Sequence, residues 1–318
     1  MTGLATGLAF PGLTVHDDPV ALSAVTRALR RKGRPVVLVP TMGALHAGHR
    51  ELIRAARATP ESSTVVSIFV NPPQFGSRDD VDRYPRQLHA DLAMCREEGV
   101  ELVFTPSVEA MSPPGSDTTV TPGALGAELE GASRPRHFPA VLTVVAKLFG
   151  IVGPDRAFFG EKDYQQLVLI QRMVADLRLG VQVVGVPTVR EADGLALSSR
   201  NVHLDAQARA AAVALSAALM AGSRAGVHGG DAVLTAAGQV LAAQPAVALD
   251  YLALRSPGLG PAPRRGEARL LLAATVGATR LIDNVGLRLG VADIASDSNG
   301  PPTRTGEETC DVPDDAQV

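Results

Sequence analysis

Two histidines three residues apart are the feature of the sequence that most suggests chemistry. They lie in the string PTMGALHAGH, residues 40–49, which follows a short apolar run and precedes a helical pattern. At this spacing His46 and His49 would share one face of a first helical turn. Free N–H groups and the positive end of the helix dipole suit a phosphate there, and Gly43 and Gly48 allow close backbone approach. The alternative is a structural turn with two solvated histidines. Zinc is disfavoured because no third ligand lies nearby in a sensible pattern.

A second string, FFGEKDYQQL at residues 158–167, also indicates a strand-to-helix junction. Gly160 permits the turn, and Lys162 would project from the carboxyl edge of a sheet, where open α/β folds bind ligands. A lysine ammonium suits a polyphosphate, although a solvated surface lysine is the commoner case. Asp163 could cap the next helix or help to hold a metal ion.

A third string, TVREADGLALSSRN at residues 188–201, places two hydroxyls and a guanidinium side by side. Ser198, Ser199 and Arg200 together suit recognition of a triphosphate. A polar linker between domains is the simpler interpretation of this string taken alone.

A fourth string, FVNPPQFG at residues 69–76, follows another predicted strand. The neutral amides of Asn71 and Gln74 suit the hydroxyl and carboxylate groups of a small substrate. Asn-Pro and Pro-Pro are also strong turn formers, so turn chemistry is the alternative.

The elements that must position these strings alternate between strands and helices in the first half of the chain. A helical pattern begins at Pro19 and ends before Gly33, and another leads to Gly99. Such alternation predicts a Rossmann-like parallel sheet with helices on both faces. The predicted strands are 35–39, 64–70, 101–105, 157–159 and 181–186, and the other predicted helices are 50–58, 141–151 and 163–179. Residues 106–139 are rich in Pro, Gly and Ser, which predicts a long loop with little regular structure.

The pattern changes after about Pro187. Ala-rich helical segments at 205–225 and 231–243 precede three strand-like runs at 247–254, 268–275 and 279–284, which predicts a smaller α+β domain. We therefore expect a nucleotide- and substrate-binding domain at 1–187, a smaller lid domain at 188–290 and a disordered acidic tail at 291–318.

Composition indicates an ordinary globular protein of 318 residues, 46% apolar and 20% charged. The net charge of −3 disfavours nucleic-acid or membrane partners. With only Cys95 and Cys310 we expect no disulfide framework. We also expect no signal peptide at the start of the chain and no apolar run long enough to span a membrane. We expect a soluble cytoplasmic enzyme.

The four strings would meet in one crevice, because the carboxyl ends of parallel strands share an edge. Such a site is rich in donors and poor in nucleophiles, which favours electrostatic stabilisation of phosphoryl chemistry: activation of a small carboxylic acid by ATP as its adenylate. Two alternatives stay open, a nucleotidyl transferase that stops at a nucleotide product and a non-catalytic nucleotide-binding regulator.

Taken together and in this order, the four strings resemble the pantothenate synthetase (pantoate–β-alanine ligase) family, over about residues 13–288. The family is part of a group of nucleotidyl transferases with a Rossmann-like sheet and a paired-histidine loop. The resemblance implies condensation of (R)-pantoate with β-alanine, using ATP and Mg²⁺ and releasing AMP and pyrophosphate, through a pantoyl adenylate. It also implies a homodimer formed through the first domain.

The resemblance further implies roles for individual residues. His49, at the position usually named as proton donor, would be catalytic with His46 and Lys162. Pantoate would contact Gln74 and Gln166, with Asn71 beside them and Gln74 also near β-alanine. The implied ATP contacts are Met42, Gly43, Ala44, Leu45, His46, Ala47, Gly48, His49, Gly160, Glu161, Lys162, Asp163, Val189, Leu197, Ser198, Ser199 and Arg200. No protein metal ligand is assigned.

Two positions depart from the family pattern. Leu197 replaces a usual Met before Ser-Ser-Arg, which conserves volume. The stretch after Arg134 usually reads His-Phe, a variable residue and Gly, but here Ala140 ends the sequence His-Phe-Pro-Ala. The missing Gly is expected to alter the local geometry beside the pantoate pocket.

Overall fold

The computed structural model describes residues 12–290. In chain order its strands and helices are β1 Thr14–His16, α1 Pro19–Arg31, β2 Val36–Thr41, α2 Ala47–Arg57, β3 Ser63–Ile68, α3 Arg78–Arg83, α4 Leu88–Glu97, β4 Leu102–Phe104, α5 Val108–Met111, α6 Glu130–Ser133, α7 His137–Val152, β5 Arg156–Gly160, α8 Tyr164–Asp176, β6 Gln182–Val186, α9 Ala206–Ala225, α10 Gly230–Ala242, β7 Val247–Arg255, β8 Gly266–Val276 and β9 Thr279–Leu289. Short 3₁₀ turns include Pro72–Gln74, Glu161–Asp163 and Ser199–His203.

The first sheet has six parallel strands in the order β1-β4-β3-β2-β5-β6. Successive side chains of a strand point to opposite faces, and β2 is apolar on both. Val36 and Leu38 pack with residues of α1, α7 and α8, whereas Val37 and Val39 pack with residues of α2 and α4. Helices therefore cover both faces, and the predicted Rossmann-like α/β fold is confirmed.

The second sheet has three antiparallel strands in the order β7-β8-β9. Its core is formed by small and aliphatic side chains of α9 and α10 against β8, with Leu215 and Leu219 facing Leu270 and Leu272. This arrangement confirms the predicted smaller α+β unit. The parallel sheet ends with β6 at Val186, which supports a boundary near residue 187, and we keep the division 1–187 and 188–290 as a proposal.

The structure differs from the sequence-based expectations at several places. β1 was missed because its three residues are too few for a periodic pattern, and it pairs with β4 at the sheet edge. Helix α7 begins at His137, earlier than the predicted residue 141. The segment 106–139 contains α5, α6 and a 3₁₀ turn, and it packs Met111 and Leu125 into the core.

The prediction that no apolar run is long enough to span a membrane was too strict. Ala206–His228 is long and apolar enough by length and composition. Half of its most apolar 18-residue stretch is buried inside the protein, where α9 packs against β8 and β9. Core helices of soluble proteins have the same length and composition. Cys95 is a buried free thiol. Cys310, the start of the chain and the predicted disordered tail lie outside the described residues.

Polar contacts join the two sheet units beside the first sheet's carboxyl edge. The carboxylate of Glu130 accepts two hydrogen bonds from the Arg280 guanidinium, at 2.8 and 2.7 Å, and one from the Tyr251 hydroxyl at 3.1 Å. Arg255 forms a further ion pair with Glu128 at 2.9 Å. Because Glu130 is buried, its hydrogen bonds with Arg280 and Tyr251 hold the β7–β9 sheet against the first unit in a defined position.

Replacing Leu38, a core residue of β2, with alanine tests the packing of the first sheet against its helices. We expect Leu38→Ala to lower the free energy of unfolding by about 2–5 kcal/mol, since Leu38 is fully buried and the cavity cannot collapse. Val20→Ala on exposed α1 surface should change it by less than about 0.5 kcal/mol. Urea unfolding of both variants checks this, and a cost below about 1 kcal/mol at Leu38 would contradict it.

Candidate active site

A cleft of about 870 Å³ lies at the carboxyl ends of β2, β3, β5 and β6, and residues of the second sheet complete its wall. Parallel strands end at the same edge of the sheet, so the segments that follow them meet there. The cleft lining includes Met42, His46, Gly48, His49, Asn71, Gln74, Gly160, Lys162, Asp163, Gln166, Val189, Leu197, Ser198, Ser199 and Arg200. The structure thus brings together most of the residues singled out from the sequence.

Five of the expected ATP contacts do not line this cleft. Gly43, Ala44 and Leu45 are buried in the loop after β2, and Ala47 is exposed at the start of α2. Glu161 forms an ion pair with Arg269 of the second sheet at 3.0 Å. These residues belong to the loops whose other side chains line the cleft.

The two histidines cap the start of α2. The Nδ1 atom of His46 accepts a hydrogen bond from the Gly48 N–H at 3.1 Å, and the Nδ1 atom of His49 accepts one from the His46 N–H at 3.3 Å. A backbone N–H can only donate, so both Nδ1 atoms carry no proton. Each neutral ring therefore bears its proton on Nε2, which leaves Nε2–H as a donor from a residue that lines the cleft.

The electrostatics of the cleft favour this neutral form. Burial and, to a smaller extent, the neighbouring His46 lower the pKa of His49 to about 3, against the opposing effect of Asp163. Burial and then the charge of Lys162 lower the pKa of His46. The ring centroids lie 4.1 Å apart, a distance at which two positive charges would repel strongly. At neutral pH these imidazoles donate hydrogen bonds without being cations.

Asp91 of α4 holds the loop that precedes the histidines. Its Oδ2 accepts from the Ala44 N–H at 3.0 Å and its Oδ1 from the Leu45 N–H at 2.8 Å. Ala44 has φ of 51°, a left-handed conformation that costs energy for a residue with a Cβ. The carboxylate, only 2% exposed, stabilises this turn. Sequence analysis missed Asp91, which lies more than forty residues away on a helix without a motif.

The turn after β5 places Lys162 and Asp163 in the cleft. Asp163 occupies the N-cap position of α8, but its side chain makes no capping hydrogen bond, so capping is not its role. Its side chain is exposed within the cleft, where the walls surround it closely with protein atoms. This burial raises its pKa, but Lys162, Arg200, His137 and Arg134 outweigh burial and lower the pKa overall. Asp163 is therefore an ionised carboxylate among cations.

The segment after β3 that carries Asn71 and Gln74 is held by contacts with other parts of the chain. Asn71 donates to Gln74 Oε1 at 3.1 Å and to the Ala140 carbonyl at 3.3 Å, and Gln74 Nε2 lies 2.7 Å from the Met42 sulfur. Arg134 Nη2 and His137 Nδ1 each lie 3.1 Å from the Gln74 carbonyl oxygen. Gln74 is thus fixed beside the histidine loop, and His137 Nδ1 must carry a proton to bond this carbonyl.

Residues 139 and 140, where the sequence departs from the family pattern, lie in helix α7. Pro139 lies in its first turn, where a missing N–H costs little, and the Ala140 carbonyl accepts from Asn71. The segment after Arg134 is therefore the start of a helix, and the expected change in geometry relative to the family stays a prediction. Gln166 lines the cleft as expected, while its neighbour Gln165 turns inward and holds residues 125–130.

The segment 188–201 folds back on itself as a short hairpin. The Leu197 N–H donates to the Val189 carbonyl at 2.9 Å, and Arg190 and Ala196 form a bridge. Ser198 caps the following turn by accepting from the Arg200 N–H at 3.3 Å, and Ser199 and Tyr84 both line the cleft. The hairpin brings Ser198, Ser199 and Arg200 to the cleft from a segment that sequence patterns alone describe equally well as a linker.

Sequence analysis missed several residues that line the cleft. Tyr84, Arg134, His137, Glu130, Asp283 and Asn284 belong to this group. Most lie in helices or strands where hydrophobic periodicity is the dominant signal. The adjacent polar pair Asp283 and Asn284, between the apolar residues Ile282 and Val285, was a detectable irregularity.

Comparison with known proteins decides the family. The sequence model described as pantoate-beta-alanine ligase matches residues 14–286. The chain belongs to the pantoate–β-alanine ligase family. It is 62% identical over 281 residues to a pantothenate synthetase from Nocardia farcinica, covering 88% of each chain. A relative from Mycolicibacterium smegmatis with the same description is 60% identical over 280 residues, covering 88% of this chain and 89% of the relative.

Solved structures of the same family share the fold. A pantothenate synthetase from Thermus thermophilus superposes with a TM-score of 0.80 at 47% identity, covering 86% of this chain and 99% of that one. A pantoate-beta-alanine ligase from Francisella tularensis, complexed with beta-gamma ATP and beta-alanine, superposes with a TM-score of 0.71 at 32% identity, covering 86% and 97%. The chain is thus a ligase of pantothenate biosynthesis.

The His49 imidazole should stay neutral in acid. Its pKa falls from 6.5 to about 3 on folding, so the unfolded chain binds more protons within that window. The folded protein therefore loses stability as pH falls below 6.5, by up to about 1.4 kcal/mol per pH unit from this group. NMR titration of the ring checks this directly. Protonation of His49 above about pH 5 would contradict it.

Asp91→Asn tests the clamp on the histidine loop. The substitution replaces one accepting carboxylate oxygen with an amide N–H, which cannot accept from the backbone N–H that it faces. We expect this loss to lower the free energy of unfolding by about 1–3 kcal/mol. Turnover should fall with it, because the loop carries His46 and His49. Asp82→Asn, at an exposed position, is the matched control. Equal stability of both variants in urea would show that the clamp contributes nothing.

Proposed function

We propose that this ligase condenses (R)-pantoate with β-alanine to pantothenate through a pantoyl adenylate, releasing AMP and pyrophosphate. The family and the ligand description of the Francisella tularensis ligase support ATP and β-alanine as substrates. The observation that carries the adenylate step is the donor set of the cleft: neutral Nε2–H groups of His46 and His49 beside the cations Lys162 and Arg200. Such a set stabilises charge on phosphoryl oxygens and includes no evident nucleophile.

In the proposed first step, a carboxylate oxygen of pantoate attacks the α-phosphorus of ATP. The bond from that phosphorus to the bridging oxygen breaks, and pyrophosphate leaves with the electron pair. Free carboxylates titrate near ~4, so the nucleophile is already ionised and needs no base. Lys162, Arg200 and the two imidazoles would stabilise the negative charge that develops on the phosphates. Gln74, Asn71 and Gln166 would hold pantoate by hydrogen bonds to its oxygens.

In the proposed second step, the neutral amine of β-alanine attacks the carbonyl carbon of the adenylate. The C–N bond forms, the C–O bond to AMP breaks with its electron pair passing to the AMP phosphate oxygen, and the proton of the amine passes to solvent. The acyl adenylate is prone to hydrolysis, so the cleft between the two sheet units must keep water away. The hydrogen bonds between Glu130, Arg280 and Tyr251 close one side of that cleft.

The residues of the cleft fit a magnesium ion that arrives with ATP. Mg²⁺ usually keeps several waters and is held by one or two carboxylates together with substrate phosphates. Asp163 is an ionised carboxylate without a capping bond, and within residues 12–290 no group of three or more His, Cys, Asp or Glu forms an all-protein cage. Asp163 would hold Mg²⁺, which supplies charge neutralisation on the phosphates.

The remaining expectations rest on the family resemblance. We propose a homodimer formed through residues 1–187 and a cytoplasmic location. Gly43, Ala44, Leu45, Ala47 and Glu161 would act on ATP through the backbone they shape, since their side chains do not line the cleft.

Omission of single substrates tests the reaction. With ATP and pantoate alone we expect one equivalent of pyrophosphate per site and little free AMP, and β-alanine should then release AMP and form pantothenate. Free AMP in stoichiometric amounts without β-alanine would favour a transferase that stops earlier. A lack of pyrophosphate release with ATP and pantoate would contradict the adenylate mechanism.

Lys162→Ala should slow adenylate formation while leaving the fold intact. Losing one electrostatic donor typically costs ~3 kcal/mol of barrier, or roughly a hundredfold in kcat. Lys32→Ala, at an exposed position far from the cleft lining, is the matched control. Single-turnover pyrophosphate release compares the two. Turnover of Lys162→Ala within about twofold of the parent enzyme would remove Lys162 from the mechanism.

A further inference from the structure

Two adjacent polar residues in β9 stand out because both are buried. Asp283 is 3% exposed and Asn284 is 4% exposed, and both line the cleft although they belong to the second sheet. Buried polar groups are costly unless they are fully hydrogen-bonded. Their partners therefore show what the pair does.

Asn284 holds the turn that carries Lys162. Its Nδ2 donates to two successive carbonyl oxygens, those of Glu161 at 2.9 Å and Lys162 at 3.0 Å. Its Oδ1 accepts from Arg269 Nη1 at 2.9 Å, and Arg269 also bonds the Glu161 carboxylate at 3.0 Å. The Arg269 guanidinium lies 3.7 Å from the ring centroid of Tyr164, the first residue of α8. The turn after β5 is thus fixed by the second sheet.

Asp283 holds the hairpin that carries Ser198 to Arg200. Its two carboxylate oxygens accept from Arg190 Nη1 at 2.7 Å and Nη2 at 3.0 Å. Arg190 also donates to the carbonyls of Gly194 at 3.1 Å and Asn284 at 3.3 Å. Asp283 Oδ1 accepts from the Asn284 N–H at 2.7 Å, which joins both networks. One dipeptide of β9 therefore anchors both loops.

We propose that Asp283 and Asn284 form a positioning element that sets Lys162 against Ser198, Ser199 and Arg200 across the triphosphate site. The proposal deepens the proposed function and rests on it. It assigns the second sheet a fixed role in aligning the cationic groups, in addition to closing the cleft. A misplacement of about 1 Å in such a group can cost a hundredfold in rate, so the anchor should act on catalysis.

Asn284→Asp is the most informative substitution. It keeps the shape of the side chain but replaces the donating amide with an acceptor beside two carbonyl oxygens, so the Lys162 turn loses its anchor. We expect kcat for pyrophosphate release to fall about tenfold or more, with KM for pantoate changed by less than about threefold. Asn284→Ala removes the amide without adding a charge, and it replaces Asn284→Asp if that variant does not fold.

Arg255→Ala is the matched control. Arg255 also lies in the second sheet and forms an ion pair with the first unit, but it does not line the cleft. Its removal should leave kcat within about twofold, because an exposed pair contributes little. A fall in kcat as large as that of Asn284→Asp would overturn the proposal, since loss of any contact between the units would then suffice.

A double-mutant cycle with Lys162→Ala separates positioning from a general structural role. If Asn284 acts through Lys162, Asn284→Asp should lower kcat at least about tenfold in the parent enzyme but less than about threefold in Lys162→Ala. Equal factors in both backgrounds would overturn the inference while leaving the proposed role of Lys162 intact. Near-normal turnover of Lys162→Ala alone would instead contradict that role.

Discussion

The carboxyl ends of four parallel strands meet at one edge of the first sheet, and every other feature of the site depends on this constraint. β2, β3, β5 and β6 each end beside the cleft, although their ends are up to 145 residues apart in the chain, from Thr41 to Val186. Hydrogen-bond register fixes these ends relative to one another, as in the pairing of Thr41 with Ile68 and of Gly160 with Val186. Short loops can then carry catalytic groups without long flexible connections.

The electrostatics of the cleft follow from crowding many donors into that space. Lys162, Arg200 and Arg134 bring positive charge close together, and burial further disfavours charge on His46 and His49. The imidazoles remain neutral and contribute oriented N–H groups, since α2 holds their Nδ1 atoms. Asp163 offsets part of the positive charge. The dipoles of the site are fixed by these hydrogen bonds, which is the arrangement that the proposed stabilisation of phosphoryl charge requires.

Much of the fold could be predicted from sequence, because strong local signals agreed with the global architecture. Apolar runs such as 35–39 marked the buried strands, and the Asp18-Pro19 pair marked the start of α1, where Asp18 accepts from the N–H groups of Val20 and Ala21. β1 could not be found, since three residues carry no period. The start of α7 was missed because Pro139 looks like a loop residue but fits a first helical turn.

The site was predictable where its residues occur in strings at strand ends, as with His46, Lys162 and Gln74. It was not predictable where a residue acts from a distance through the backbone. Asp91 bonds two N–H groups of the histidine loop, and Asn284 bonds two carbonyls of the lysine turn, and in both cases the partner is backbone that has no sequence signature. Sequence patterns thus found many of the groups that line the cleft and missed those that hold them.

A crystal structure with a non-hydrolysable ATP analogue and pantoate tests the central claim most directly. The account predicts the phosphates between the Nε2 atoms of His46 and His49 on one side and Lys162 Nζ and Arg200 on the other, with the pantoate carboxylate facing the α-phosphorus. A triphosphate bound elsewhere, or with Lys162 and the imidazoles beyond hydrogen-bond distance of its oxygens, would contradict it.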